Sequence, residues 1–194
     1  MLFTASLLLS LTTAYAGPPA HPAERAHDRQ EVRQDQNEVM SDRVDAVRLH
    51  ACVADWHTAR TSKNNAAERA ADACLEGWLR SELAEGHRDV QDARAEVHQS
   101  RVEAAGPGRD DQRDVRDDQR DLERERLDQA RTRAIAAELR DLHPKFMNNT
   151  ATPGDYQHKA DLLRELDALT QREVDLGVRE LHEDNRELRE DRRR

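Results

Sequence analysis

Cys52 and Cys74 are the only cysteines in the 194-residue chain, and each is followed four residues later by a tryptophan, Trp56 and Trp78. Four residues are about one helical turn, so each indole should stand beside its own sulfur. The stretch between them breaks at Thr61-Ser62-Lys63-Asn64-Asn65, and Lys63 is the midpoint of the pair. An antiparallel helical hairpin folded at Lys63 brings the two sulfurs to one height, which predicts a Cys52–Cys74 disulfide with an indole on either side. No Cys-x-x-Cys is present, so the expected role is a staple rather than redox exchange. Closing such a loop stabilises a fold by roughly 3 kcal/mol.

The histidines are the other residues with ligand chemistry. His50 and His57 share a helical face but lie about 10.5 Å apart along the axis, too far to hold one ion. A closer grouping is expected at a second hairpin. Folding the chain at about Asn149 sets His143 opposite Asp155, with His158 and Asp161 following at helical spacing and Met147 in the connecting loop. Two imidazoles, a carboxylate and a thioether suit Zn or Cu, so His143, Asp155 and His158 are candidate metal ligands, with surface histidines and helix capping as the alternative. No Gly-x-Ser-x-Gly surrounds any serine and the seven glycines form no phosphate-cradling loop, so a non-enzymatic protein is expected.

The compartment follows from the N-terminus. Leu2 to Leu11 is an apolar run followed by the small-x-small triplet Ala14-Tyr15-Ala16, a pattern that predicts a secretory leader over residues 1–16. The mature chain is then periplasmic or secreted, where paired cysteines oxidise. Residues 17–23, with Pro18, Pro19 and Pro22, read as an extended spacer. Nothing later is apolar enough for the roughly 20 residues that a membrane span needs.

The remaining chain has to position these groups with little apolar material. After the leader, Val, Leu, Ile and Phe make up about 16% of the residues, below the roughly 20% at which highly charged chains lose a core. Helices with narrow apolar seams are the economical solution. The pattern Asp-polar-polar-acid-aliphatic recurs around Val32, Val39, Val115, Leu122 and Leu188, at heptad spacing within each pair, although only one of the two seam positions is aliphatic. Val44, Val47, Ala51 and Ala54 form one expected stripe. Ala66, Ala70, Ala73 and Gly77 form another, with Leu75, Leu79 and Leu83 beside it. The strongest stripe runs through Leu163, Leu166, Thr170, Val174, Val178, Leu181 and Leu188, started by Thr152 as N-cap, Pro153 at the first helical position and Asp155 completing a capping box. Breaks at Gly106-Pro107-Gly108 and at residues 143–154 leave four helices, about 24–60, 66–105, 109–143 and 153–192. The expected fold is all-α, with long antiparallel hairpins forming an extended four-helix bundle or coiled-coil-like assembly. Residues 24–105 would be the disulfide-stapled hairpin and 109–194 the second one.

Charge narrows the partners. The net charge is −9, no helical segment is net basic and aromatics are 3% of the residues. A nucleic-acid surface needs the opposite. One pentapeptide, Leu169-Thr170-Gln171-Arg172-Glu173, is similar to the Leu-Thr-x-x-Gln motif of the Spy/CpxP and zinc-resistance-associated periplasmic proteins, with Glu in the fifth place. An exported, acidic, all-helical chain of this size resembles that class. The resemblance implies long helical hairpins and a role as an ATP-independent chaperone or in metal stress, with no functional residue carried over. The residues themselves point to a coiled-coil spacer or protein-interaction module, engaging a protein partner or a second copy through its helical seams.

Overall fold

The computed structural model describes residues 24–104 and 111–191. The expected leader and Pro-rich spacer, and the Gly106-Pro107-Gly108 break, lie outside the described residues. Four helices account for nearly all of the rest: α1 (Glu24–Thr61), α2 (Asn65–Glu103), α3 (Asp111–Met147) and α4 (Pro153–Asp191). No described helix is long and apolar enough to cross a membrane. The chain divides into two compact units, Met1–Glu38 with Gly177–Arg194, and Val39–Leu176. Within the described part of the first unit, Val32 is buried and Leu181 and Leu188 are half-buried.

The second unit is an all-α bundle whose helices follow one another around a ring. Cys52 of α1 is bonded to Cys74 of α2, with their Cα atoms 5.7 Å apart. α2 packs along α3. Arg131 of α3 is ion-paired through two hydrogen bonds with Glu165 of α4. The ring closes where Asp167 of α4 lies 3.8 Å from His50 of α1 and where the Arg60 guanidinium of α1 sits 3.4 Å over the Tyr156 ring of α4.

Both hairpin turns use the same local chemistry. Lys63 adopts φ 54° and Asn149 φ 55°. The Asn64 amide donates to Ala59 O and that of Lys63 to Arg60 O. Thr150 N likewise donates to Lys145 O, and Asn149 N to Phe146 O. These pairs are Schellman closures, which satisfy the last carbonyls of α1 and α3 by placing one residue in the left-handed region. Asn64 then caps α2, its side chain accepting from the amides of Ala66 and Ala67. The capping box expected at α4 is present: Asp155 N donates to Thr152 Oγ1 and Thr152 N to Asp155 Oδ2.

The sequence-based boundary of α3 at His143 is corrected. The helix continues through Pro144 for a further turn to Met147. Proline removes one helical hydrogen bond. The added turn carries Phe146 onto the core, where its ring meets Tyr156 edge-to-face at 4.8 Å.

The main core consists of Leu49, Cys52, Trp56, Ala71, Leu75, Trp78, Leu79, Ile135, Ala136, Leu142, Leu162, Leu163 and Leu166. The stripe read on α4 therefore faces inward as expected, and both indoles are buried in this core alongside the disulfide. Trp78 Nε1 donates to Asp45 O, one side of the bridge, while Trp56 lies toward the hairpin turns. The stripes read on α1 and on the alanines of α2 do not face inward. Val44, Val47, Ala51, Ala54, Ala66, Ala70 and Ala73 are all exposed. The buried face is instead the one bearing Leu, Cys and Trp, because burial free energy scales with apolar area and alanine contributes little of it. A smaller cluster of Val90, Ala93, Val97 and Leu122 lies further along α2 and α3.

Candidate functional site

The expected metal trio is placed at the second hairpin but is not brought together. The Asp155 carboxylate is engaged by Thr152 as a cap and by the Lys145 ammonium. These contacts hold its carboxyl well below the usual carboxylate range, the Lys145 hydrogen bond being the largest cause. His158 Nε2 lies 3.0 Å from Glu138 Oε2. His143 turns toward α2, where it lines a groove with Leu79 and Leu83. Among the described residues, no three His, Cys, Asp or Glu side chains converge as a metal site. The physical reason is helical phase. Folding at Asn149 does place residue 143 at the height of residue 155, but height along an axis does not set the direction of the side chain.

Next to that hairpin lies the least ordinary polar group in the core. Lys159 is 5% exposed, and its ammonium is ion-paired with Asp72 of α2. The pair links α4 to α2 at the hairpin-turn end of the core. The Lys159 Nζ lies 4.5 Å from the Phe146 ring centroid and 5.0 Å from that of Trp56, within range of cation–π attraction. Burial lowers the Lys159 pKa, and Asp72 pulls it partly back. Glu68, 8% exposed, contributes a further negative field, with its Oε1 lacking a hydrogen-bond partner. Sequence reading missed this group, since a lone Lys between polar neighbours carries no signal of burial.

A groove of about 250 Å³ opens between α2 and α3 above this pair. Leu75, Leu79, Leu83, Ala136 and Leu139 form its apolar lining, and Arg140 and His143 stand at its edge.

The third feature is the outer side of α1. Met40, Val44 and Val47 are 61%, 64% and 70% exposed, and Ala51 and Ala54 continue the line. Their spacing alternates four and three, the 3.5-residue period of a coiled-coil seam. Leu49 and Trp56 lie on the opposite side of the same helix, inside the core. α1 therefore carries apolar residues on two faces. The outer stripe runs about 21 Å along the helix axis.

Between the two apolar clusters the bundle carries acid. Glu82 on α2 is half-buried, and Asp42 and Asp45 of α1, Glu85 and Asp89 of α2 and Glu173 of α4 all lie within its field. Burial first, then Glu85, Asp45, Asp89 and Asp42, push its carboxyl from 4.5 up to about 7. The folded chain thus keeps a proton that the unfolded chain releases between those values. Where the native state binds more protons, stability falls as pH rises, so the penalty grows through this window and levels off above it. Glu82→Gln is expected to be more stable than the parent at pH 8 by on the order of 2 kcal/mol, and no more stable at pH 4. Thermal melts at the two pH values check this; an unchanged gap between them would count against it.

No family model matches the chain, nor does any curated protein or solved structure.

Proposed function

We propose that this chain is an exported, non-enzymatic helical module that docks one partner helix along the outer stripe of α1. The observation that supports it is the Met40-Val44-Val47-Ala51-Ala54 line: a heptad-spaced apolar seam, solvent-facing on a helix already anchored by its other side. Single exposed apolar side chains are ordinary, as with Val102 and Leu127, but a continuous seam is the signature of an interaction surface. The disulfide and the Trp-rich core behind the seam keep it straight, so little ordering is required on docking.

Charge selects the occupant. The positions beside the seam are Arg43, Arg48, His50 and His57 with Asp55 and Ser41, two arginines against one aspartate. A second copy would bring like-charged flanks together and a further net charge of −9. A helix with apolar seam residues and acidic flanks fits better. This reading favours a specific module over a general holder of unfolded chains.

The test is fluorescence anisotropy with a labelled helical peptide carrying Leu at seam positions and Glu on both flanks. Binding is expected in about the micromolar range, reduced more than tenfold in Val44→Glu/Val47→Glu. Both positions are exposed, so circular dichroism should be unchanged. A parent protein that ignores the peptide, or that sediments as a dimer lost in the double variant, overturns the partner-helix reading. Delayed aggregation of an unfolded client at near-stoichiometric ratio, unaffected by the double variant, would favour a chaperone instead.

A further inference from the structure

The groove between α2 and α3 combines an apolar lining with cationic side chains. Its lining is apolar: Leu75 and Leu79 are buried, and Leu83 and Leu139 are half-buried against the core. Its charges are mostly positive. Lys159, Arg80 and Arg140 stand against Asp72 and Glu76, three cations to two carboxylates, with His143 beside them. Asp72 is taken by Lys159, and Glu76 lies 3.7 Å from Arg80. Among the described residues, Arg140 and His143 have no ion-pair partner. They stand at i and i+3 on α3 and so share one edge of the groove.

Most of the charge stands at one end of the groove, the Arg80–Glu76 ion pair along α2 being the exception. Lys159, Asp72 and His143 are at the hairpin-turn end, whereas Leu83 and Ala136 lie toward the middle of the bundle. From position 72 to position 83 the groove follows α2 for about 16 Å. An occupant therefore has a charged end near Arg140 and His143 and an apolar body pointing toward Leu83.

We propose that this groove is a binding site for a single-tailed amphiphilic carboxylate of medium chain length. The tail lies between Leu79, Leu83 and Leu139, and the carboxylate meets the Arg140 guanidinium, whose planar fork matches it, with the His143 imidazole alongside. Lys159 does not leave Asp72. The neutralised pair closes the hairpin-turn end of the groove. The volume is at the small end for ligand sites, which suits one narrow tail and excludes a two-tailed lipid.

Calorimetric titration of the full chain with sodium decanoate, kept below its micellar concentration, tests this. Decyltrimethylammonium, with the same tail and the opposite head, and acetate, with the head alone, serve as comparisons. Decanoate is expected to bind with a Kd of about 100 µM, at least tenfold tighter than either comparison. Arg140→Gln/His143→Gln should weaken decanoate at least tenfold without altering the circular dichroism spectrum, since both residues are exposed. Leu83→Glu, at the tail end, should weaken it as well. Proton resonances of the His143 ring should move with the same saturation curve. Equal affinity for the cationic amphiphile, unchanged affinity in the double variant, or no binding at millimolar decanoate each overturns the proposal. The site does not share residues with the α1 seam, so the peptide and decanoate titrations succeed or fail independently.

Discussion

Replacing Asp72 with Asn, or Lys159 with Met, should each destabilise the protein by about 3 kcal/mol, while replacing both together, Asp72→Leu/Lys159→Met, should cost far less. The difference between breaking the pair and replacing it follows from burial. The Lys159 and Asp72 side chains are 6% and 10% exposed, so each charge has given up most of its water for the other. Removing the carboxylate leaves an ammonium between Phe146 and Trp56, with only the Glu68 field and weak cation–π attraction in compensation. Removing the ammonium for an unbranched thioether keeps the packing against the same rings but leaves the Asp72 carboxylate buried without its partner, whereas the double replacement leaves neither charge behind. The pH dependence distinguishes this mechanism from lost packing. Burial already lowers the Lys159 pKa, and loss of Asp72 lowers it further. The unfolded state then binds more protons than the folded state as pH approaches the ordinary lysine value, so stability rises with pH. The deficit of Asp72→Asn should therefore shrink between pH 7 and pH 10. Denaturant melts at both values measure it. A variant within about 1 kcal/mol of the parent at pH 7 would show that the pair is solvated in solution.

Loss of the disulfide is expected to have an effect of similar size. Cys52 and Cys74 are separated by 22 residues, and cross-linking a loop of that length stabilises by roughly 3 kcal/mol through the unfolded chain. For a chain of this size, that corresponds to a fall in Tm of about 10 °C on substitution of both cysteines by alanine. Because Trp56 and Trp78 are buried on either side of the bridge, near-ultraviolet circular dichroism should report loosening there first. The helices themselves should persist at low temperature, since Leu49, Leu75, Ile135, Leu163 and Leu166 still fill the core around the substituted positions. Peptide mapping without reductant that recovers both cysteines as free thiols, or a double variant with the parent Tm, would refute the staple.

The local features of this protein were legible in its sequence. The helix starts and ends come from residue chemistry: Thr152-Pro153-Gly154-Asp155 caps α4 as read, and Asn64 at the first turn offers a side chain that the backbone amides need. The symmetry of Cys52 and Cys74 about Lys63 was sufficient to predict the bridge, because an antiparallel hairpin maps sequence distance from the turn directly onto height. The all-α class followed from the same spacing rules.

Direction around each helix was not legible in this way. α1 repeats apolar residues on two opposite faces, and periodicity treats both as equal. Only tertiary packing chose Leu49, Cys52 and Trp56 for the interior, because they fill more volume than Val44, Val47 and the alanines, and that choice turned an expected core stripe into an exposed seam. The same freedom separated His143, Asp155 and His158, which agree in height but not in phase. It also carried α3 past Pro144, where the gain from packing Phe146 outweighs one lost hydrogen bond. The burial of Lys159 is matched by Asp72, 87 residues away on another helix. Helix starts, turns and the height of the bridge could be read from the chain, since caps and turns are interactions among neighbours and a hairpin converts distance from its turn into height. The tertiary structure alone decided which faces meet, because that is a competition for buried area among side chains with no local relation to one another.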